Sequence, residues 1–168
     1  MIARYSLILA AALACPVAAQ QSSDFPSSES YIVQLGSSQY ASGLGEYLVP
    51  PLIDAFDKTG MTYEGGPAAQ FAASVETGSD VGRWYGTSDG RHWLYKRFVT
   101  VGLSPANIDI EPMGVMTPSF SVKTVLVTPN EDRVDELECL ISLATQELAA
   151  RYRPEGQVTV DGTGCARK

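Results

Sequence analysis

Residues 120–152, FSVKTVLVTPNEDRVDELECLISLATQELAARY, read as one strand running into one long helix. Phe120 to Val127 is β-branched and becomes continuously apolar at its end, as a strand buried in a sheet requires. Thr128-Pro129-Asn130-Glu131 has the pattern of a capping box with proline at the first helical position. Val134, Leu137, Ile141, Ala144, Leu148 and Tyr152 then recur at steps of three and four, which places one apolar face over five turns. Glu131, Asp132, Asp135 and Glu136 crowd the first turns. There they complement the helix dipole and aid solubility, so they are not read as metal ligands.

Cys139 projects almost opposite the apolar stripe of this helix. Beyond it, Arg153-Pro154-Glu155-Gly156 turns the chain, and Gln157 to Val160 is extended. The helix from Cys139 to Tyr152 rises about 20 Å, and the thirteen residues from Tyr152 to Cys165 span more than twice that when extended. The expectation is a tail that doubles back over the outer face of the helix. It is stapled there by a Cys139–Cys165 disulfide worth about 3 kcal/mol on the chain-entropy account.

Upstream, Tyr31 to Leu35 reads as a strand. Leu44, Leu48, Leu52, Ile53 and Phe56 follow at helical spacing, with Ser42 as a possible cap and Gly60 past the end. Pro50-Pro51 predicts a kink or a fresh start within this helix. Met61 to Glu64 is a short strand. Gln70 to Glu76, 81–87 and 91–101 predict a three-stranded antiparallel meander, with a turn at Thr77–Asp80 and a two-residue turn at Asp89-Gly90. Gly102 to Ser119, with Pro105, Pro112 and Pro118, is a long connection, and Asn107 to Ile110 is a brief strand inside it.

The hairpin turn sets a register in which Gly86 faces Trp93, Trp84 faces Tyr95, Gly82 faces Arg97 and Ser88 faces Arg91. Trp84, Trp93, Tyr95, Arg91 and Arg97 then share one face, because side chains alternate along a strand. Trp, Tyr and Arg dominate binding hot spots. Tyr85 with Leu94 and Val81 with Phe98 make the other face, which reads as a core face. The competing structural reading is that the Trp face is the core side, or is covered by 102–119. Arg83 opposite Lys96 counts against this register.

The first nineteen residues have the layout of a secretory signal peptide: Arg4, an apolar run from Leu7 to Ala14, then Val17-Ala18-Ala19 before Gln20. The apolar run is too short to span a bilayer, and Pro16 breaks it, so no transmembrane segment is expected in the mature chain. Ala12-Leu13-Ala14-Cys15 offers a lipid anchor on Cys15 as the alternative. Cleavage after Ala19 also removes Arg4 and takes the net charge from −7 to −8. It leaves Cys139 and Cys165 as an even pair in an oxidising space. Residues 20–30 (QQSSDFPSSES) read as a flexible Ser-rich tether, and 31–168 as a single domain.

The acidic balance argues against nucleic acid and against an anionic membrane surface as partners. His92 is the single histidine, so a secreted hydrolase would have to use it, with Asp109 and Glu111 of the long connection as the candidate carboxylates. No nucleophile elbow, zinc motif, EF-hand or phosphate loop occurs. No cofactor and no metal are therefore expected.

The order of elements predicts an α+β two-layer sandwich: one mainly antiparallel sheet of about five strands packed by two helices. In architecture alone it resembles small accessory domains of bacterial envelope proteins. The expected function is a secreted or periplasmic non-enzymatic binding module that engages an envelope protein or glycan through the hairpin face. A hydrolase and a purely structural envelope component are the alternatives.

Overall fold

The computed structural model describes residues 22, 24–35, 43–86, 90–106, 117–130 and 132–166. In chain order the elements are β1 (Ser30–Leu35), α1 (Gly45–Asp57), β2 (Thr62–Tyr63), β3 (Phe71–Ser79), β4 (Arg83–Tyr85), β5 (His92–Pro105), β6 (Phe120–Thr128), α2 (Val134–Arg151) and β7 (Gly156–Asp161). A 3-10 turn at Thr163–Cys165 follows. The fold is α+β: a mixed sheet of seven strands packed against two helices. The strand order is β2-β1-β3-β5-β6-β7, with β4 also paired to β5. The centre, β3-β5-β6, is antiparallel. Both flanks are parallel, β1 with β2 and β3, and β6 with β7. A helix separates β1 from β2, and another separates β6 from β7, as parallel neighbours require.

Alternation along the strands decides which face meets the helices. Tyr31 of β1, Ala73 and Val75 of β3, Val99, Val101 and Leu103 of β5, and Phe120, Val122 and Leu126 of β6 are buried. They form one core with Leu48, Leu52 and Phe56 of α1 and with Leu137, Leu140, Ile141, Ala144 and Leu148 of α2. Thr124 ties the layers together: its hydroxyl donates to Val99 O at 3.2 Å and lies 3.3 Å from Leu140 O. The opposite face of the sheet is small and polar at its centre, with Ala72, Gly102, Ser104 and Ser121 buried. The return of the chain at 117–119 lies across it. The Ser119 amide donates to Ser104 Oγ at 2.8 Å, and Pro118 fills the space that a side chain at Gly102 would occupy.

Several sequence expectations are corrected. α1 runs unbroken through Pro50 and Pro51. The carbonyls that the two prolines leave without an intrahelical partner are those of Glu46 and Tyr47, near the start of the helix on exposed residues, where solvent is within reach. Ser42 lies outside the described residues. Gly60 does close this helix, with φ +89 and its amide on Asp57 O at 3.1 Å.

The capping box does not form. Thr128 is the last residue of β6, paired opposite Tyr95 and fully buried, so it cannot also start a helix. Its hydroxyl and the Asn130 side chain instead organise a turn, and α2 begins at Val134 without a side-chain cap. Glu131 lies outside the described residues.

Residues 24–30 are not a loose tether. Phe25 is buried against Tyr152, with ring centroids 5.8 Å apart and edge to face. The Ser22 amide donates to Ala149 O at 2.8 Å. Phe25 and the hydrogen bonds of Ser22 together dock this stretch onto the end of α2.

The tail does not lie on the helix. β7 adds an edge strand to β6 in parallel, and only the 3-10 turn reaches across to α2. The Cys139–Cys165 disulfide is present, with Cα atoms 5.6 Å apart. It therefore ties the helix layer to the sheet edge. Asp161 braces this turn by accepting from the Thr163 amide at 3.0 Å and hydroxyl at 2.5 Å, which holds its carboxyl below the usual carboxylate range. On the other flank, burial pushes the Tyr31 phenol far above its ordinary value. No helix among the described residues is long and apolar enough to cross a membrane, which says nothing of a β-barrel. The signal region and Cys15 lie outside the described residues.

Candidate functional site

β5 is fourteen residues long, and its first three residues, His92 to Leu94, run past the end of β6 as a two-stranded arm with β4. The expected meander is in fact a single hairpin. The turn predicted at Thr77–Asp80 is instead strand and the start of a bulge. β3 pairs with β5 through Ser79 opposite Arg97, and the Asp80 amide still donates to Lys96 O at 2.9 Å. Pairing resumes with Arg83 opposite Leu94, Trp84 opposite Trp93 and Tyr85 opposite His92. One extra residue therefore stands in the β3–β4 strand around Val81-Gly82, a β-bulge that leaves both segments on the same edge of β5.

The bulge has a side-chain consequence. Before it, even-numbered Gly78 lies beneath even-numbered Phe98 on the open face of the sheet. After it, even-numbered Gly82 and Trp84 lie on the side of odd-numbered Trp93. The inserted residue has turned Trp84 over to meet Trp93. Their centroids are 5.4 Å apart with planes at 78°, an edge-to-face contact worth about 0.5–1.5 kcal/mol. Trp93 also lies against the buried backbone of Gly82, where any Cβ would collide with the indole.

The register differs from expectation by two residues, because the closing loop is longer than two. Gly86, at φ +103, carries the left-handed conformation expected of Gly90, while Thr87 to Asp89 lie outside the described residues. A slip of two preserves parity, so Trp84 falls on the same face of the hairpin as Trp93, Tyr95 and Arg97, while Arg91 stands before β5 begins at His92. That face is the helix side, continuous with Val99 and Val101. Tyr85/Leu94 and Phe98 are on the open side and are not core partners: Tyr85 is exposed, Val81 is 84 % exposed, and Lys123 Nζ sits 3.9 Å over the Phe98 ring.

The five residues do not share one environment. Trp84 is 63 % exposed and Trp93 42 %. Arg91 is exposed and Tyr95 half-buried. Arg97 is only 7 % exposed, and its Nη1 donates to Arg133 O at 2.6 Å where the arm meets the start of α2. It therefore belongs to the base of the arm and not to its open surface. A cleft of about 380 Å³ opens at this base, with Arg97, Leu44, Tyr47, Asp132, Val134 and Leu137 among its walls. Tyr47 and Val134 are half open to solvent. This cleft had no signature in the sequence, since its walls come from two helix starts and from two strands, β3 and β5, far apart in the chain.

His92 is exposed at the outer end of β5, opposite Tyr85 and away from the tryptophans. Among the described residues it takes part in no ion pair. Asp109 and Glu111 lie outside the described residues. No group of three metal-ligating side chains occurs among the described residues.

No family model and no curated protein matches the chain. Among solved structures it is similar to a minor lipoprotein from Acinetobacter baumannii, at 12 % identity and a TM-score of 0.39. That likeness covers 73 % of this chain and 87 % of the other. It is also similar to a PDZ domain protein from Parabacteroides distasonis, at 9 % identity and a TM-score of 0.46, over 81 % of this chain. The matched region spans 36 % of that second protein's length. At these identities and scores neither likeness assigns a function.

Proposed function

We propose that this protein is a non-enzymatic binding module of the periplasm or the secreted space, and that it engages an envelope protein or glycan through the Trp84/Trp93 face of the β4–β5 arm. One observation carries the reading: two tryptophans held against each other on an arm that extends past the end of β6, both substantially open to solvent. The pair leaves much of its apolar surface in water, and exposed contiguous aromatics mark interaction sites. The signal-like leader and the Cys139–Cys165 disulfide support an address outside the cytoplasm.

The test is a Trp84→Ala, Trp93→Ala double variant produced in the native host. It is expected to fold, because both side chains stand outside the core, and to lose the partner that the wild type retains from its own envelope. Retention of every partner by a folded double variant would end the proposal.

A further inference from the structure

The two edges of the sheet differ. Among the described residues one edge is β2, two residues long, and the other is β7, six residues long. Soluble proteins blunt an exposed edge by shortening it, or with lysine, proline or a bulge. β2 is short. β7 holds no lysine and no proline, and its register with β6 runs without a bulge. The strand is also held firmly, by β6 along its length and by the Cys139–Cys165 disulfide in the turn that follows it.

The Gly156 amide donates to Ser119 O at 2.9 Å and the Gly162 amide to Val125 O at 2.7 Å. Backbone groups alternate in direction along a strand, so those of Gly156, Val158, Val160 and Gly162 face β6, and those of Gln157, Thr159 and Asp161 face outward. The latter three residues are exposed, and no described strand pairs with this row. Counted outward from Thr159, the sequence is nearly its own mirror: valine on either side, then Gln157 and Asp161, then Gly156 and Gly162.

We infer that β7 is a self-association edge, at which two copies of this chain pair antiparallel about a two-fold axis at Thr159. In that register the Thr159 residues of the two copies exchange a pair of backbone hydrogen bonds, and Gln157 does the same with Asp161 of the second copy. The Gln157 amide faces the carboxylate of that Asp161, the two threonines face each other, and Val158 faces Val160 on the helix side. These are favourable cross-strand pairs, with no like charges opposed. A two-fold contact uses the same edge twice and closes. The ends of the joined sheet are then the two β2 strands, too short to propagate it. This surface is separate from the arm and does not depend on what the arm binds.

The mature protein is followed by sedimentation equilibrium at about 0.15 M salt, where repulsion between two acidic chains is screened beyond about 8 Å. Its mass is expected to rise from that of one chain toward that of two between about 1 and about 200 µM, the weak range that suits a small interface. Thr159→Pro removes an outward amide that β6 does not use. Two hydrogen bonds per dimer are lost, so self-association is expected to weaken about tenfold or more at unchanged secondary structure. Thr159→Lys, an exposed change that opposes two cations at the axis, is expected to act likewise and replaces the proline variant if that one fails to fold. Thr159→Cys is expected to cross-link two chains under mild oxidation, since the paired Cα atoms would stand about 5.5 Å apart. Gln157→Cys is not, because its two copies would be offset by about 13 Å along the strands.

A mass that stays that of one chain over this range overturns the inference. So does self-association left intact by Thr159→Lys, or cross-linking through Gln157→Cys as fast as through Thr159→Cys. Loss of self-association in the Trp84→Ala, Trp93→Ala variant would place the contact on the arm and overturn it too.

Discussion

Replacing Gly82 by alanine tests the geometry of the arm at its tightest point. A Cβ at this position would stand 2.6 Å from Trp93 Cε2 and 3.0 Å from Cζ2, with the indole nitrogen closer still. Carbon atoms in ordinary contact are about 3.5–4.0 Å apart, so the indole must retreat by about 1 Å. Within a close-packed core such an insertion costs about 1–3 kcal/mol. Trp93 is 42 % exposed and can swing outward. The expected cost is therefore at the low end, about 1 kcal/mol, mostly the lost contact with Trp84. The backbone itself does not resist, since Gly82 is not in the left-handed region.

In a Trp93→Ala background the clash disappears. The same substitution should then stabilise by about 0.5 kcal/mol, through the reduced entropy of the unfolded chain. The coupling in this double-mutant cycle is thus about 1.5 kcal/mol. It is measured by urea denaturation, with near-ultraviolet circular dichroism following the indole bands, which should weaken in Gly82→Ala alone. Equal effects of the substitution in both backgrounds would refute the bulge geometry that brings the two tryptophans together.

Two further predictions concern how the chain ends are held. Replacing Cys139 and Cys165 together by serine should lower stability by about 3.5 kcal/mol on the chain-entropy account for a separation of 26 residues. A urea midpoint unchanged by the double substitution would contradict a structural staple. Phe25→Ala should cost about 2–3 kcal/mol, because Phe25 is buried against Tyr152. It should also speed hydrogen exchange at the Ser22 amide, whereas a loose tether would show neither effect.

The sequence was most informative where a signal is local or topologically inevitable. The 3.6-residue period from Leu137 to Leu148 located α2, and Cys139 and Cys165 formed the pair that parity and compartment implied. It was least informative where one residue had to choose between two structures. Thr128 satisfies a capping box as written, yet β5 offers it a strand partner in Tyr95, and the sheet wins. Thr77 to Asp80 has turn composition, but the long β5 strand draws it into pairing, and only a bulge is left to absorb the mismatch. Ser-rich composition concealed Phe25, because the surface it covers is built from the far end of α2.

The sequence by itself determined the two-layer α+β class, the staple, and that Trp84, Trp93, Tyr95 and Arg97 share a face of the hairpin. Hydrophobic period, cysteine parity and strand alternation are properties of short stretches, and they survive a register error of two. Tertiary structure alone decided what that face meets. It buried Arg97 at the base of the arm, left Trp84 and Trp93 in the open, and brought two helix starts together as a cleft. Exposure depends on which distant elements arrive above a strand, and no local pattern encodes where β6 stops and the arm runs on.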